Sequence, residues 1–411
     1  MVDYEHRSRF FKERPTYATE GGRFKALVAI AMLHFTNDLH PSLLPTFLPE
    51  IVNRLGLSLG QAGFLNTFFG MFNLVLQPIA GHFADKLNRP VFTLWAPLLT
   101  AGGAYLLSTA PNYAIAMLFV AIMGTGTASF HPQAHGLTGV AGGTGKLGAY
   151  LAIFASAGTL GSALSPAYGV FLWRTLGPGK MAFALFPVLI AVLVARYLLP
   201  AYQKEPAESG ESSAEEAASD SVGSSMWRVF LICLPIIMIS IIRDSTSQGI
   251  RVFLPLLVTG RGGTIEMGAT LLFVFTLASS MANLVGGKLA DLFGKRRIIV
   301  IMLLLSPVFL FPAIVTDGML SVALFVCGGA CIAATSPVTL AMAQEFVPGA
   351  RSTASSLVMG ISWGMANVVA SPIGMLADRI GLATTLCLVA LMPLLAVGGI
   401  AAGYLAKRTK G

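Results

Sequence analysis

Ionisable side chains stand inside an apolar stretch near the start of the sequence, "HFTNDLHPSLLPTFLPEI" (34–51). His34 and Asp38 are four residues apart, so a helix would place them on one face within hydrogen-bonding reach, with Asn37 adjacent. A carboxylate at the centre of a membrane helix costs roughly 3 kcal/mol, so such a group usually faces a cavity and has a function there. We predict that Asp38 and His34 bind a coupling proton and that Asn37 contacts a substrate.

A second carboxylate, Asp244, lies in "IIRDSTSQGIRVFLP" (241–255). Arg243 directly precedes it, and Arg251 lies seven residues after Asp244. A nearby guanidinium can neutralise the carboxylate, or it can hold an anionic substrate while the carboxylate takes a proton. We predict Asp244 as a second proton-binding group and Arg243 and Arg251 as anion-binding groups. The alternative is a buried salt bridge that locks one conformer.

Histidines recur in "ASFHPQAHG" (128–136), where His131 and His135 are four residues apart. A metal site formed with Asp38 is not expected, because no second ligand pair with suitable spacing supports one. We predict that His131 binds a proton or a polar substrate and that Gln133 contacts substrate. The alternative for His131 is a histidine that only packs a helix end.

The segment 341–367, "AMAQEFVPGARSTASSLVMGISWGMAN", combines a charged turn with a polar helix face. Glu345 and Arg351 flank the turn, and an ion pair between them is the simplest interpretation. Asn367 lies four residues after Trp363, so both could line a cavity, although Trp363 could equally face lipid. We predict Asn367 as a substrate contact.

Catalytic signatures are missing from the sequence. It contains no HExxH zinc-protease motif, no GxxxxGK[ST] phosphate loop and no GxSxG nucleophile elbow. The four cysteines all lie in apolar runs and form no CxxC pair, which predicts neither a disulfide framework nor a metal site. We therefore expect no enzyme activity, no ATP-driven transport and no cofactor, with a proton gradient as the energy source.

The composition requires a membrane to position these groups. Hydrophobic residues make up 55% of the 411 residues and charged residues 11%, against roughly 25% charged residues in a soluble domain. Twelve apolar segments are long enough to cross a bilayer. They lie near 25–48, 60–84, 91–110, 113–136, 147–172, 180–200, 227–258, 267–290, 298–316, 319–343, 352–376 and 382–405.

A charged segment divides the apolar part of the chain into two halves. Residues 201–226 are acidic and serine-rich, which predicts a flexible linker between an N-terminal bundle (25–200) and a C-terminal bundle (227–405). Lysine and arginine residues cluster in short loops and tails on one side of the predicted spans. This positive-inside pattern, rather than nucleic-acid binding, explains the net charge of +8, and places both tails (1–24 and 406–411) in the cytoplasm of an inner-membrane protein.

The two halves repeat with a constant offset. Asp38 and Asp244 are 206 residues apart, and so are "FLPEIV" from 47 and "FLPLLV" from 253. The pairs Asp85–Asp291 and "SP" at 165–166 and 371–372 have the same spacing. The sequence therefore predicts an all-α membrane protein with twelve helices in two pseudo-symmetric six-helix bundles. This arrangement resembles the parallel repeat of the major facilitator superfamily.

Two loops carry a recurring glycine–aspartate pattern, "GHFADKLNRP" (81–90) and "GGKLADLFGKRR" (286–297). Gly287 is expected to permit close helix approach, Asp291 to cap a neighbouring helix, and Arg296 or Arg297 to pair with acidic groups. We predict a conformational latch rather than a substrate site. Its residues are Gly81, Asp85, Arg89, Gly287, Asp291, Gly294, Lys295, Arg296 and Arg297.

The fifth apolar segment, "SAGTLGSALSPAYG" (156–169), has small residues at helical spacing before a proline. Such residues pack helices closely, and proline bends them. It is similar to a weakened proton-antiporter motif of drug exporters, while generic helix packing explains it equally well. The predicted helix-bending positions in the two halves are Gly161, Ser165, Pro166, Ser371 and Pro372.

Taken together, these motifs resemble the fosmidomycin-resistance family of the major facilitator superfamily. The resemblance is carried by "HFTNDL" (34–39), "FHP" (130–132), "GGKLADLFGKRR" (286–297) and "AQEFVPG" (343–349), and it covers nearly the whole chain except the N-terminal tail and the linker. It implies a proton-driven exporter of small polar, often anionic compounds, since fosmidomycin is a phosphonate. The family often has a carboxylate after "HP", where this chain has Gln133.

We therefore predict a secondary active transporter of the bacterial inner membrane that works as a monomer by alternating access. Export of a small polar or anionic compound in exchange for protons is the main hypothesis. A proton symporter that imports an organic acid or sugar acid keeps the same fold with the opposite direction. A membrane-embedded enzyme acting on lipids is a third, minor hypothesis.

Overall fold

A computed structural model describes residues 13–16, 19–86, 89–199, 203–206, 222–347 and 351–408. Nearly all of this part of the chain is helical, as predicted. Two short strands, β1 (Glu13–Thr16) and β2 (Gln203–Pro206), pair antiparallel and join the predicted tail to the predicted linker. The helices of the first half are α1 (Glu20–Asp38), α2 (Leu43–Leu55), α3 (Leu59–Lys86), α4 (Val91–Leu107), α5 (Tyr113–Leu176), a 3₁₀ turn (Pro178–Ala184) and α6 (Leu185–Leu198).

The second half has the same order of membrane segments. Its helices are α7 (Val222–Gly260), α8 (Ile265–Phe293), α9 (Lys295–Val315), α10 (Gly318–Phe346), α11 (Arg351–Val368), α12 (Ala370–Ile380), α13 (Leu382–Leu391) and α14 (Pro393–Arg408). Within the described residues, nine helical stretches are long and apolar enough to cross a membrane. Helix α4 is apolar but shorter than these nine stretches. Helix α1 is not among the nine, because several charged residues lower its mean hydropathy.

Helix α5 contains two membrane segments rather than one. The His34 ring lies 5.6 Å from the Phe130 ring and 3.9 Å from the Phe154 ring. A straight helix rises 1.5 Å per residue, so about 36 Å would separate Phe130 from Phe154. The chain must therefore reverse direction between them, which gives the fourth and fifth segments that the sequence predicts.

The two ends of the molecule differ in how the halves meet. We call the end with Glu20, Leu198, Val222 and Arg408 the terminal face, and the opposite end, with the turns at 56–58, 108–112, 261–264 and 381, the far face. One apolar cluster near the far face includes Phe47 of the first half and Phe253, among others, of the second half. Towards the terminal face, each half has its own apolar cluster.

Hydrogen bonds between the described parts of the two halves follow the same division. At the far face, the Asp378 carboxylate accepts from the backbone N–H groups of Leu59 and Gly60, both at 2.8 Å. A carboxylate at a helix N-terminus is favourable because the first N–H groups have no partner within the helix. Arg174 also pairs with Glu266 across this face, at 3.4 Å. The far face is closed in this structure.

Backbone groups next to a proline form further contacts between the halves. Pro372 has no N–H to bond the carbonyl of Val368, so that carbonyl needs another donor. The Thr67 hydroxyl lies 2.9 Å from the Asn367 carbonyl oxygen and 3.2 Å from that of Val368, and accepts from Ser371 N–H at 3.1 Å. The helix is interrupted between α11 and α12 at Val369, close to the predicted bending positions Ser371 and Pro372. In the first half, α5 continues through Pro166.

The terminal-face loops correct one prediction. Gly294 has φ of +92°, a conformation that favours glycine, and it forms the turn between α8 and α9. The close helix approach predicted for Gly287 is wrong. A Cβ at Gly287 would meet open space, whereas one at Gly286 would collide with the backbone of Ala334. The adjacent glycine faces the neighbouring helix because successive residues point about 100° apart.

Lys295 contributes a charged pair to these loops. It binds Glu345, and the predicted pair between Glu345 and Arg351 stays a prediction, because the Arg351 side chain lies outside the described residues. Asp291, Arg296 and Arg297 are exposed and contact no acidic or basic partner among the described residues. Gly81 packs against Pro132, and Arg89 is exposed. The side chains of Asp85 and Arg351 lie outside the described residues, so the latch function stays a prediction.

Candidate functional site

Three predicted proton-binding residues meet in the first half. The Asp38 carboxylate lies 3.1 Å from His34 Nε2 and 3.4 Å from His131 Nε2, with a different oxygen facing each imidazole. Asn37 Nδ2 donates to the same carboxylate at 3.0 Å. The side chains of Asp38 and His131 are 18% and 21% exposed, so the group is enclosed but not sealed. We call Asp38, His34 and His131 the triad.

Backbone contacts fix the tautomers of both triad histidines. His34 Nδ1 lies 2.7 Å from the carbonyl oxygen of Phe154, and His131 Nδ1 lies 2.9 Å from that of Thr127. A carbonyl only accepts, so each Nδ1 must carry a hydrogen. In a neutral imidazole the Nε2 atom then has a lone pair, and this lone pair faces a carboxylate oxygen. Each Nε2–oxygen contact therefore needs an added proton to become a hydrogen bond.

A nearby histidine shows what a satisfied neutral imidazole looks like. His40 is fully buried, its Nδ1 donates to the Thr36 carbonyl at 2.6 Å, and its Nε2 accepts from the Tyr105 hydroxyl at 2.7 Å. One partner accepts and the other can donate, so neutral His40 needs no added proton. Among the histidines that the structure describes, only those of the triad face two acceptors each, which distinguishes them from the neutral, satisfied His40.

Close packing of α5 against α1 holds the triad in place. A Cβ at Gly158 would collide with the His34 ring and the Asp38 carboxylate, and one at Gly161 would collide with the backbone of Phe35. The His34 ring stacks on Phe154, with the ring planes 20° apart. Gly158 and Gly161 thus allow the close approach that the small-residue spacing predicts. The predicted bending residue Ser165 is fully buried.

Two predicted substrate contacts of the first half are fully engaged by protein groups. Asn37 is completely buried, and its Oδ1 accepts from the Thr100 hydroxyl at 2.9 Å. Gln133 Oε1 accepts from the backbone N–H of Thr93 at 2.9 Å, and its Nε2 donates to the Arg89 carbonyl at 3.1 Å. Asn37 orients the triad carboxylate, and Gln133 fixes the start of α4.

Replacing Gln133 with Leu tests this structural role. The change removes the hydrogen-bond partner of the buried Thr93 N–H, and an unsatisfied buried polar group costs about 1–3 kcal/mol. We expect a lower unfolding temperature in detergent and an unchanged KM for substrate. An increased KM with unchanged thermal stability would instead support the substrate contact that the sequence suggests.

The second half places an ion pair where the first half has the triad. Arg243 Nε and NH2 donate to the two Asp244 oxygens, both at 2.8 Å, and NH1 donates to Thr339 at 2.6 Å. Arg243 occupies the repeat position of Asn37, and each donates to the carboxylate that follows it. The repeat positions of His34 and His131 are Ser240 and Pro337, so this half lacks the imidazoles.

Polar residues continue along one face of α7, towards the other half. Asp244, Gln248 and Arg251 are spaced by four and three residues and therefore share a helix face. Gln248 Nε2 reaches Asn367 at 3.2 Å and Asn66 of the first half at 3.4 Å. Arg251 is half-buried and bonds to no acceptor in the part of the chain that the structure describes. Asn367 and Arg251 thus lie near the junction of the halves.

The triad also offers the donor set of a metal site. One ligand atom from each of His34, Asp38 and His131 lies within 4.8 Å of the others. Histidines that bind metals commonly donate their second ring N–H to a backbone carbonyl, as both do here. No fourth histidine, cysteine or carboxylate joins the group among the described residues. The expectation from the sequence that no metal binds at Asp38 and His131 stays a prediction.

Sequence reasoning missed Asp378, although a signal was present. "GMLADRIG" (374–381) repeats the pattern of "GKLADLFG" (287–294), and both end in a glycine with positive φ. This copy of the pattern lies at the far face, whereas the two predicted glycine–aspartate loops lie at the terminal face. A search limited to loops rich in basic residues therefore misses it. Thr67, Asn66 and Gln248 were missed as well, because isolated amides and hydroxyls carry no spacing signal.

Comparison with known proteins supports one family over the whole chain. The model described as "Major Facilitator Superfamily" matches residues 30–268 and 236–411. The uncharacterized transporter YfnC of Bacillus subtilis is 27% identical over 378 residues, covering 91% of both chains. The fosmidomycin resistance protein of Escherichia coli is 25% identical over 376 residues, covering 90% of this chain and 91% of that protein.

A solved structure has the same fold. The crystal structure of a bacterial homolog of the human lysosomal transporter Spinster, inward-facing and unoccupied, aligns with a TM-score of 0.77 at 15% identity, covering 94% of this chain and 97% of that one. At this identity the likeness concerns the fold alone. It confirms the predicted all-α membrane fold with two helical bundles.

Proposed function

Because the chain belongs to the Major Facilitator Superfamily, we propose that this multi-pass membrane transporter is driven by protons and exports a small polar or anionic compound. The observation that carries the proton coupling is the triad. Its two imidazoles face one carboxylate with lone pairs, so it binds up to two added protons. Loss of these protons turns two attractive contacts into repulsive ones.

Proton binding can be linked to movement because the triad joins different segments. Asp38 and His34 lie on α1, whereas His131 lies on α5. Protonation draws the His131 segment and α1 together, and deprotonation pushes them apart. Closure of the far face by Asp378 and Thr67 corresponds to one end state of alternating access. The opposite state requires that these contacts break.

The relatives support export. One is named a fosmidomycin resistance protein, and others are named multidrug resistance proteins. We place the terminal face in the cytoplasm of a bacterial inner membrane, because lysine and arginine residues collect there. With the far face closed, we assign this structure to the inward-facing state, in which an exporter loads its substrate. We propose that the chain functions as a monomer, with Arg243, Arg251 and Asn367 contacting the substrate.

Proton-coupled import is the second candidate, and the Arg243–Asp244 pair favours it. An anion that binds Arg243 adds negative charge beside Asp244 and so favours protonation of that carboxylate. If Asp244 rather than the triad carries the coupling proton, anion and proton then load together, which is the linkage required for symport. Antiport requires the reverse linkage, in which the proton-free state carries the substrate.

The direction of proton movement relative to substrate movement distinguishes antiport from symport. The purified chain is placed in liposomes with a pH-sensitive dye inside, and organic acids, phosphonates including fosmidomycin and cationic drugs are added outside in turn. Net substrate and proton fluxes in opposite directions support the proposed antiport. Fluxes in the same direction support symport. Substrate movement that never moves protons, at any imposed pH gradient, contradicts both.

A further inference from the structure

The guanidinium of Arg243 has donors that the protein leaves unused. A guanidinium has five N–H groups. Two donate to Asp244 and one to Thr339, so two N–H groups meet no acceptor among the described residues. Arg243 is only 3% exposed, and a buried donor without an acceptor is unfavourable. This group is therefore prepared to bind another acceptor.

An open cavity of about 160 Å³ adjoins these donors. Besides Arg243 and Thr339, its polar lining consists of Asn283 and Ser336, whose side chains hydrogen-bond to no described residue. Trp363 forms one wall and is 56% exposed. We call this space the C-half cavity. Pockets for drug-sized molecules are typically about 300–1,000 Å³, so the C-half cavity fits one polar group rather than a whole compound.

The shape of the donors selects the chemistry of the ligand. The planar guanidinium fork matches two oxygens of one carboxylate, phosphonate or phosphate group. An amide and a hydroxyl next to it can donate to a remaining oxygen. We propose that the C-half cavity binds the acidic group of the substrate, a carboxylate or phosphonate, on the unused donors of Arg243. This inference rests on the proposed transport function and names the part of the substrate that is recognised.

Asp244 does not prevent this binding. It occupies the Nε side of the guanidinium, and the unused hydrogens are on NH1 and NH2. An anion can therefore bind Arg243 without displacing Asp244. The ion pair instead fixes the guanidinium plane, and a fixed donor loses less entropy when the ligand binds.

Methylphosphonate and its neutral dimethyl ester test the proposal, because they share the methylphosphonyl core and differ in charge. Binding to the full chain in detergent is followed by Trp363 fluorescence, with Trp95, Trp173 and Trp227 replaced by Phe. We expect saturable binding of methylphosphonate and none of the ester. Asn283→Ala and Ser336→Ala, which leave the ion pair intact, should each weaken binding about 5-fold, as expected for one hydrogen bond. Arg243→Lys should weaken it more than 10-fold because the fork is lost.

Arg261→Gln is the matched control, since Arg261 binds Asp317 and backbone carbonyls at the far face. It should bind methylphosphonate as the parent does. Equal binding of the neutral ester, or parental affinity in both Asn283→Ala and Arg243→Lys, would overturn the proposal. Such a failure is distinguishable from a failure of proton-coupled transport, because the parent chain still moves protons with its substrate when the acidic group binds at another position.

Discussion

Asp38→Asn is expected to abolish substrate-linked proton movement while the protein still folds. Asparagine has nearly the shape of aspartate but binds no proton. Its amide can donate to the Nε2 lone pair of either His34 or His131, which removes one proton-binding contact, and loss of the carboxylate charge weakens proton binding at the other imidazole. The variant should therefore behave like a transporter held in one protonation state. Exchange of substrate without a pH gradient should continue, and uphill transport should fall to the level of empty liposomes.

Asp317→Asn provides the matched control for this prediction. Asp317 is exposed, pairs with Arg261 at the far face, and lies far from both carboxylates of the repeat. Its substitution should leave proton movement unchanged. Parental proton coupling in Asp38→Asn would show that the proton site lies elsewhere, with Asp244 as the next candidate. Coupling that disappears in the parent after chelator treatment and returns with Zn²⁺ would show that the triad holds a metal instead.

Gly374→Val is expected to prevent closure of the far face. A Cβ at Gly374 would collide with the backbone of Leu59, and one at Gly63 would collide with the backbone of Ala370, so each glycine lies directly against the other half. Backbone cannot move aside as a flexible side chain can. Overpacking typically costs about 1–3 kcal/mol, which corresponds to a roughly 5- to 150-fold loss of the closed state.

Spin labels at Thr109 and Met319 on a cysteine-free background measure this closure, because both positions are exposed at the far face, one in each half. The distance distribution should shift to longer values in Gly374→Val and in Gly63→Val. Gly360→Val should resemble the parent, since a Cβ there meets open space. Identical distributions in all the variants would mean that this glycine contact does not hold the far face closed.

The sequence alone was sufficient for the fold and for the pairing of His34 with Asp38. Membrane segments are visible from hydropathy because lipid admits only segments whose backbone is satisfied internally. The constant offset of 206 residues identifies two halves, since duplicated segments keep their spacing. His34 and Asp38 could be paired because helical spacing is a local property, and the structure places them 3.1 Å apart.

Tertiary structure decided which groups each polar residue contacts. Gln133 and Asn37 are predicted substrate contacts, and in this structure they form hydrogen bonds with neighbouring protein groups. Asp38 and Asp244 occupy equivalent repeat positions, yet one meets two imidazoles and the other a guanidinium. His131 joins the triad from 93 residues away. A sequence shows which side chains can form hydrogen bonds. Which partners they find depends on helix packing, because those partners lie on segments that only the folded chain brings together.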